Sequence, residues 1–271
     1  MSKVIVITGS TRGIGFGLAN EFLRMGCSVV VSGRSQSSVD KALEKLQKIH
    51  PIEKMAGCPC EVTDHAQVKV LWEAAQKAFD KVDIWINNAG ISPVQKPLWE
   101  VDPDVMQQII DVNVVGILYG MKVPMQGMLR QGFGQIYNME GLGSQGRGAP
   151  GLSIYGGSKY ALTYLSKAMR KEAKDTPVQI CTISPGMVLT DLLLQHGKED
   201  PESFEKTKKI FNVLADLPET VTPYLAKKVL ENRKNGARIA WLTTGKIFFR
   251  FLTAGFRKRD LFAQLEEKQS S

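Results

Sequence analysis

Val4-Ile5-Val6-Ile7-Thr8-Gly9-Ser10-Thr11-Arg12-Gly13-Ile14-Gly15 opens the chain. Four successive apolar residues that stop at glycines read as a short buried parallel strand, and Ile14 to Met25 continues with helical spacing. Glycines between a strand and a helix let the backbone approach an anion at the helix amino end, where unpaired N–H groups and the helix dipole favour negative charge. An ordinary strand-to-helix turn also uses glycine, so the reading depends on what lies downstream.

Downstream, β and α signals alternate. Strands are expected at 28–32, 55–60, 82–87, 135–138 and 178–184, and helices at 38–49, 65–79, 103–130 and 155–173. This alternation predicts an α/β fold: a single doubly wound parallel sheet of the Rossmann kind, with helices on both faces. In such sheets ligands sit beyond the carboxyl ends of the strands. The glycine turn, Asn87-Asn88-Ala89-Gly90, Asn138-Met139-Glu140-Gly141 and Ser184-Pro185-Gly186 all fall at strand ends.

The 271 residues fit one domain: a core over 1–186, a substrate lid over 187–217, and a C-terminal helix, strand and basic-aromatic tail over 218–271. Cys27, Cys58, Cys60 and Cys181 make neither a CxxC pair nor a disulfide framework, and three scattered histidines lack metal-ligand spacing. A reducing compartment, such as the cytoplasm, and no metal are expected. With a strand starting at Val4 and no long uncharged apolar run, neither a signal peptide nor a transmembrane helix is expected. The net charge of +8 is concentrated: Lys227 to Arg259 holds ten basic residues and one acid, Glu231.

Tyr155 and Lys159 stand at i and i+4 on an expected helix, so their side chains share a face and an ammonium there favours the phenolate. Bringing a phenol from a pKa of about 10 to about 7 takes roughly 4 kcal/mol. A lysine, together with positive charge on an oxidised nicotinamide, is a source of the right kind, so the pair reads as a proton-transfer site for a carbonyl or alcohol. Arg34 ends the second strand, where folds that select NAD carry an acid for the ribose 2′-hydroxyl. A guanidinium suits a 2′-phosphate instead, which favours NADPH, with NADH possible. Asn113 falls inside the long helix; it either bonds its own backbone or bends the helix and holds a water near Lys159.

Thr-Gly-x-x-x-Gly-Ile-Gly, Asn-Asn-Ala-Gly, the Asn113 segment, Tyr-x-x-x-Lys and Pro185-Gly186-Met187-Val188-Leu189-Thr190, in this order and spacing, resemble the short-chain dehydrogenase/reductase family. The resemblance implies NAD(P)(H)-dependent hydride transfer and a homo-oligomer paired through its long helices. It casts Tyr155 as general acid/base, Lys159 as ribose ligand and tuner of Tyr155, and Asn113 as anchor of a relay water. Gly9, Ser10, Arg12, Gly13, Ile14 and Gly15 would take the pyrophosphate, Arg34 the 2′-phosphate, Asn88, Ala89 and Gly90 the adenosine side, and Pro185, Gly186, Val188 and Thr190 the nicotinamide amide. The family's usual serine, about 13 residues before the tyrosine, is replaced by Gly141 or Leu142. Ser144, two or three residues late, or a backbone N–H of Gly141–Gly143, is then expected to hold the substrate oxygen.

Asn-Met-Glu-Gly-x-Gly-Ser, the Ser184–Leu194 stretch, Phe211–Val221 and Ile239–Thr243 further resemble chlorophyll(ide) b reductases of the non-yellow-colouring type, which reduce a 7-formyl to 7-hydroxymethyl. The resemblance implies chlorophyll(ide) b as substrate partner and, besides the cytoplasm, a plastid-stromal location peripheral to photosynthetic membranes. Alternatives are a reductase of another hydrophobic carbonyl (steroid, retinoid or acyl) and an NADPH-binding scaffold without turnover. Leu192, Leu193, Leu194, Ile210, Phe211 and Leu217 either roof a flat ligand or pack on their own domain. Aromatics and cations interleave over 241–259, which suits an anionic membrane surface or a buried last strand and helix with a basic outer face. No nucleic-acid motif accompanies them, so nucleic acid is not an expected partner.

Overall fold

The computed structural model describes residues 2–92, 95–146, 148–189, 201–254 and 259–262, the side chains of 201–207 excepted. Seven strands form one sheet in the order β3-β2-β1-β4-β5-β6-β7, every neighbouring pair parallel. They are β1 (Val4–Ile7), β2 (Ser28–Gly33), β3 (Met55–Pro59), β4 (Ile84–Asn87), β5 (Gly134–Met139), β6 (Val178–Ser184) and β7 (Arg238–Ala240). The chain winds outward from β1 to β3, returns to β4 beside β1, and winds the other way. The β1/β4 junction is therefore the switch point at which such sheets open a crevice.

Side chains alternate across each strand, so the apolar runs feed two cores. Ile5, Ile7, Val29, Val31, Ile84 and Ile86 face α1 (Gly13–Arg24), α2 (Gln36–Leu46) and a later helix, α8 (Pro218–Glu231). Val6, Val30, Trp85 and Ile136 face α3 (His65–Phe79), α5 (Gly116–Gln131) and α6 (Ser153–Glu172). Because both faces are covered, the strands read as continuous apolar runs rather than alternating ones.

The sequence predicts one helix over 103–130. Instead α4 (Pro103–Ile110) passes through a π-helical turn, Asp111–Val115, into α5. A wide turn slips the helical register by one residue, and here it turns Asn113 into the interior, fully buried. Helix α2 starts two residues before the expected boundary because the Ser35 hydroxyl accepts the Ser38 N–H.

Beyond β6, Leu189, Phe211, Ala215, Leu217, Leu261 and Phe262 form a small third cluster. It joins the Met187–Leu189 segment, helix α7 (Pro201–Leu214) and the residues after helix α9 (Thr244–Thr253). Phe211 and Leu217 thus pack on their own domain, while Ile210 is exposed. Thr190 and Leu192, Leu193 and Leu194 lie outside the described residues. Among the described residues no helix is long and apolar enough to cross a membrane.

Candidate active site

All four strand-end motifs meet at the carboxyl edge of the sheet. Gly9 has φ of 63° and lies so close to Ala89 that a Cβ would sit 2.9 Å from its Cα, so only glycine fits this turn. Asn88 braces the turn, its side-chain amide donating to the Thr8 and Gly9 carbonyls at 2.9 Å each. The Thr8 hydroxyl accepts the Asn88 and Ala89 N–H groups. Helix α1 begins after Arg12 with no side-chain cap and no acid in its first turn. Its opening amides, from Gly13, Ile14 and Gly15, are thus available to an anion, which is the donor set a pyrophosphate needs.

Ser10, expected beside the pyrophosphate, has its hydroxyl committed elsewhere. It donates to the Ile7 carbonyl at 2.7 Å and accepts the Ser32 N–H at 2.9 Å, fastening β1 to β2. Arg12 and Arg34 are both exposed. Arg34 borders a cleft of about 480 Å³ with Glu61 and Thr63 on one side and Asp104 and Asp111 on the other. Tyr155 and Lys159 are not among the residues that line this cleft.

Around Tyr155 the structure brings together residues from four elements. Lys159 Nζ lies 5.9 Å from the centre of the Tyr155 ring and 3.4 Å from the Met139 carbonyl. A Cβ on Gly90 would lie 3.2 Å from Asn113 Oδ1 and 3.4 Å from Lys159 Nζ, so Gly90, Asn113 and Lys159 meet at one point. The Asn113 side chain donates to the Ile91 carbonyl and to Ser158 Oγ, and accepts the Ile91 N–H. Ser158 in turn donates to the Tyr155 carbonyl at 2.7 Å. Sequence reading did not single out Ser158, which links the π-turn to the first turn of α6.

The protein's own groups do not lower the phenol. Burial pushes Tyr155 up to about 12 and Lys159 down to about 8. The expectation of a phenol brought toward neutrality by its lysine neighbour is thus not met by these two side chains alone, because removal from water penalises both charged forms and the ammonium is not within hydrogen-bonding distance of the ring.

Ser144 is buried, and its hydroxyl accepts the Gly141 N–H at 3.0 Å and lies 3.3 Å from the Lys159 carbonyl, while its own carbonyl accepts from Thr163. It holds the loop. Gly141 occupies the ground above the phenol, where a Cβ would stand 2.5 Å from the Tyr155 hydroxyl oxygen. Gly143, with φ of 99°, lets the loop touch the backbone of Gly156 on α6. At the next strand end Gly186, with φ of 76°, packs on Leu242, and Val188 bridges to Asp216 beside the buried Pro185.

Sequence reading also missed an ion pair that holds a buried carboxylate. Glu140, between β5 and the Gly141 loop, meets Arg238 of β7 at 2.7 Å, and Arg238 also donates to the Ser184 hydroxyl. The pair ties the substrate-side loop to the Ser184-Pro185-Gly186 loop. Its partners lie 98 residues apart, a separation to which no local pattern points. Arg238→Met would leave the Glu140 charge buried without a partner, and is expected to lower stability by about 2 kcal/mol, below the usual range for buried pairs because Arg238 itself is partly exposed. Thermal unfolding checks this as a fall of several degrees in Tm.

Comparison with known proteins matches this geometry. The family model for short chain dehydrogenases covers residues 3–201. The probable chlorophyll(ide) b reductase NYC1 of Arabidopsis thaliana is 36% identical over 270 residues, 94% of this chain and 53% of that protein. The chain therefore spans about half the length of that relative. Chlorophyll(ide) b reductase NOL of Arabidopsis thaliana is 36% identical over 83% of this chain and 64% of its own length; both relatives are described as chloroplastic. The 3alpha-hydroxysteroid dehydrogenase of Mediterraneibacter gnavus is 33% identical over 71% of this chain and 76% of its own. Among solved structures, ElxO with NADP bound aligns with a TM-score of 0.77 at 26% identity, covering 89% of this chain and 97% of that one. With the sheet order, the glycine turn and the Tyr155–Lys159 pair in place, the chain belongs to the short chain dehydrogenase family of oxidoreductases.

Proposed function

We propose that the chain is an NADPH-preferring reductase of a large apolar aldehyde, the 7-formyl group of chlorophyll(ide) b. The observation that carries this reading is the approach of Gly141 to Tyr155, where a Cβ would stand 2.5 Å from the phenolic oxygen. Gly141 places no side chain over the phenol, and the segment containing it, Asn138 to Ser144, is among those that resemble the pigment reductases. The names of the NYC1 and NOL relatives supply the substrate class.

Reduced nicotinamide, when bound, supplies a hydride to the formyl carbon. The α1 amides of Gly13 to Gly15 would hold its pyrophosphate, Arg34 the 2′-phosphate, Lys159 the ribose, and Pro185 to Val188 the amide side. Asn88 acts here by bracing Gly9, with Ala89 and Gly90 as the wall beside it. Tyr155 gives its phenolic proton to the formyl oxygen as the C–O bond gains charge, leaving a hydroxymethyl group and a phenolate. Lys159, and a water held at the π-turn that Asn113 shapes, return the proton. Since Ser144 and the Gly141 N–H are bonded to each other, the Leu142 and Gly143 amides are assigned to the substrate oxygen.

An absorbance time course with chlorophyllide b and NADPH tests the reaction directly. Appearance of the 7-hydroxymethyl pigment is expected; no pigment change from folded, NADPH-bound protein would discard the substrate. Oxidation of NADPH by steroid ketones alone would favour the second reading, a hydroxysteroid-type dehydrogenase, which the Mediterraneibacter relative supports. Tight NADPH binding with no turnover of any carbonyl would leave a scaffold. Arg34→Asp is expected to shift the ratio of kcat/KM for NADPH over NADH by at least about tenfold toward NADH, since it exchanges a charge-assisted bond for repulsion. An unchanged ratio would place recognition of the 2′-phosphate elsewhere. The relatives' chloroplastic descriptions support a plastid-stromal site of action. Exposed Leu118 and Leu129 on α5, and Tyr160 and Tyr164 on α6, support a homo-oligomer formed through these helices.

A further inference from the structure

Helix α9 is built inside out. An amphipathic surface helix ordinarily buries its apolar stripe and shows its charges to water. Here Phe248, Phe249, Phe251 and Leu252 are 70, 55, 53 and 66% exposed. Positions 248, 251 and 252, with 249 beside them, are related by i,i+3 and i,i+4 steps and share the outward side. The cations at 246 and 250, also i,i+4, take the inward side.

Those cations are fastened there. Arg250 pairs with the buried Asp216 carboxylate at 2.7 Å and donates to the Leu214 carbonyl. Arg259 pairs with the other Asp216 oxygen at 2.7 Å, and the Trp241 indole N–H donates to the same carboxylate at 2.6 Å. Lys246 Nζ lies 3.0 Å from the centre of the Trp241 ring. The helix cannot roll to bury its phenylalanines without pulling Arg250 off Asp216, so the aromatic face is fixed outward. Three cations, Lys246, Arg250 and Arg259, gather around Asp216 in this corner.

We propose that the outward face of α9 is a docking surface for an anionic lipid bilayer, entered by Phe248, Phe249, Phe251 and Leu252 and kept in register by the basic cluster beneath it. Contiguous exposed aromatics mark a surface made for an apolar partner, and the three cations clasped around Asp216 leave net positive charge beneath it, which favours anionic headgroups. A second copy docked on this face through a two-fold axis would set the two basic clusters against each other, which disfavours self-association. If the reductase reading holds, docking also matters for the substrate. Asp216 bonds to Met187 and Leu189, so the clasp that orients α9 also anchors the nicotinamide-side segment, and an apolar pigment dissolved in the bilayer would reach the site from that edge. The surface itself does not depend on that reading.

The test is sedimentation of the full chain with vesicles of phosphatidylcholine and with vesicles of phosphatidylcholine mixed with phosphatidylglycerol, beside a triple variant, Phe248→Gln, Phe251→Gln and Leu252→Gln. Glutamine keeps helix propensity at exposed sites, and unchanged thermal unfolding and NADPH binding establish that the variant folds. The wild type is expected to partition more strongly to the mixed vesicles, and the variant to lose roughly a hundredfold in partition coefficient. Absence of wild-type binding to the mixed vesicles, or equal binding by the variant, overturns the proposal. Equal wild-type binding to both vesicles overturns its anionic part, and a lower native mass for the variant would assign the face to a second copy. None of these outcomes depends on pigment turnover.

Discussion

Tyr155→Phe is expected to lower turnover of the formyl substrate about a thousandfold while leaving NADPH affinity nearly unchanged. General acid catalysis contributes roughly two to four orders of magnitude, and the substitution deletes the proton without altering the ring that packs beside Lys159. The effect should fall on kcat, because the phenol's proton is transferred only as the oxygen gains charge. Burial lifts the phenol to about 12, so in the reducing direction it remains protonated across the physiological range. Lys159, depressed to about 8, is the group that titrates. It is charged below that pH and neutral above it, so kcat/KM for NADPH, which reports the free enzyme, should fall as pH rises through about 8. A variant retaining a tenth of wild-type turnover would remove Tyr155 as the acid, and a profile flat to pH 10 would remove the Lys159 charge from cofactor capture.

Gly141→Ser places a serine close to the position where the family usually has one, and is nonetheless expected to impair the enzyme by about a hundredfold in kcat. The new Cβ would stand 2.5 Å from the Tyr155 hydroxyl and 3.2 Å from the Lys159 stem, so either the loop or the phenol must move. The loop is held by Ser144 to Gly141, by Gly143 against Gly156 and by Glu140 to Arg238, which leaves the phenol as the part that yields. A displacement of about 1 Å at a reacting group is enough for a loss of this size. Stopped assays with saturating NADPH check it: gain of activity on the pigment would mean that the loop, not the phenol, gives way and that the serine is recruited as a carbonyl donor.

How much of this was legible beforehand follows from the range over which each interaction acts. The parallel sheet was readable because Val4–Ile7, Val29–Val31 and Ile84–Ile86 are unbroken apolar runs followed by turn residues, a pattern that burial on both faces requires. The glycine turn and the Tyr155–Lys159 pair were readable because each is contained in one short segment whose backbone geometry alone sets the spacing. The π-turn at Asp111–Val115 was not, since a helix that changes pitch keeps nearly the same apolar periodicity, and the reward for the change is the bond from Asn113 to Ile91, 22 residues away.

Side-chain direction is where sequence reading stopped. Ser10 and Ser144 sit at the right places for ligand contacts, yet their hydroxyls close bonds between strands or within a loop, because a buried hydroxyl takes the nearest backbone partner. The basic-aromatic tail shows the same division. Composition located the aromatics and cations of 241–259 together, but only Asp216, brought beneath α9 from 34 residues away, decides that Arg250 points inward and the phenylalanines outward. The amino-acid sequence by itself determined the sheet, the cofactor turn and the position of the proton-transfer pair, all products of local periodicity and backbone geometry. The tertiary structure decided which hydroxyls remain for a substrate, that Glu140 and Arg238 join two loops, and which side of α9 meets the outside, because each depends on a polar group finding a partner far along the chain once water is excluded.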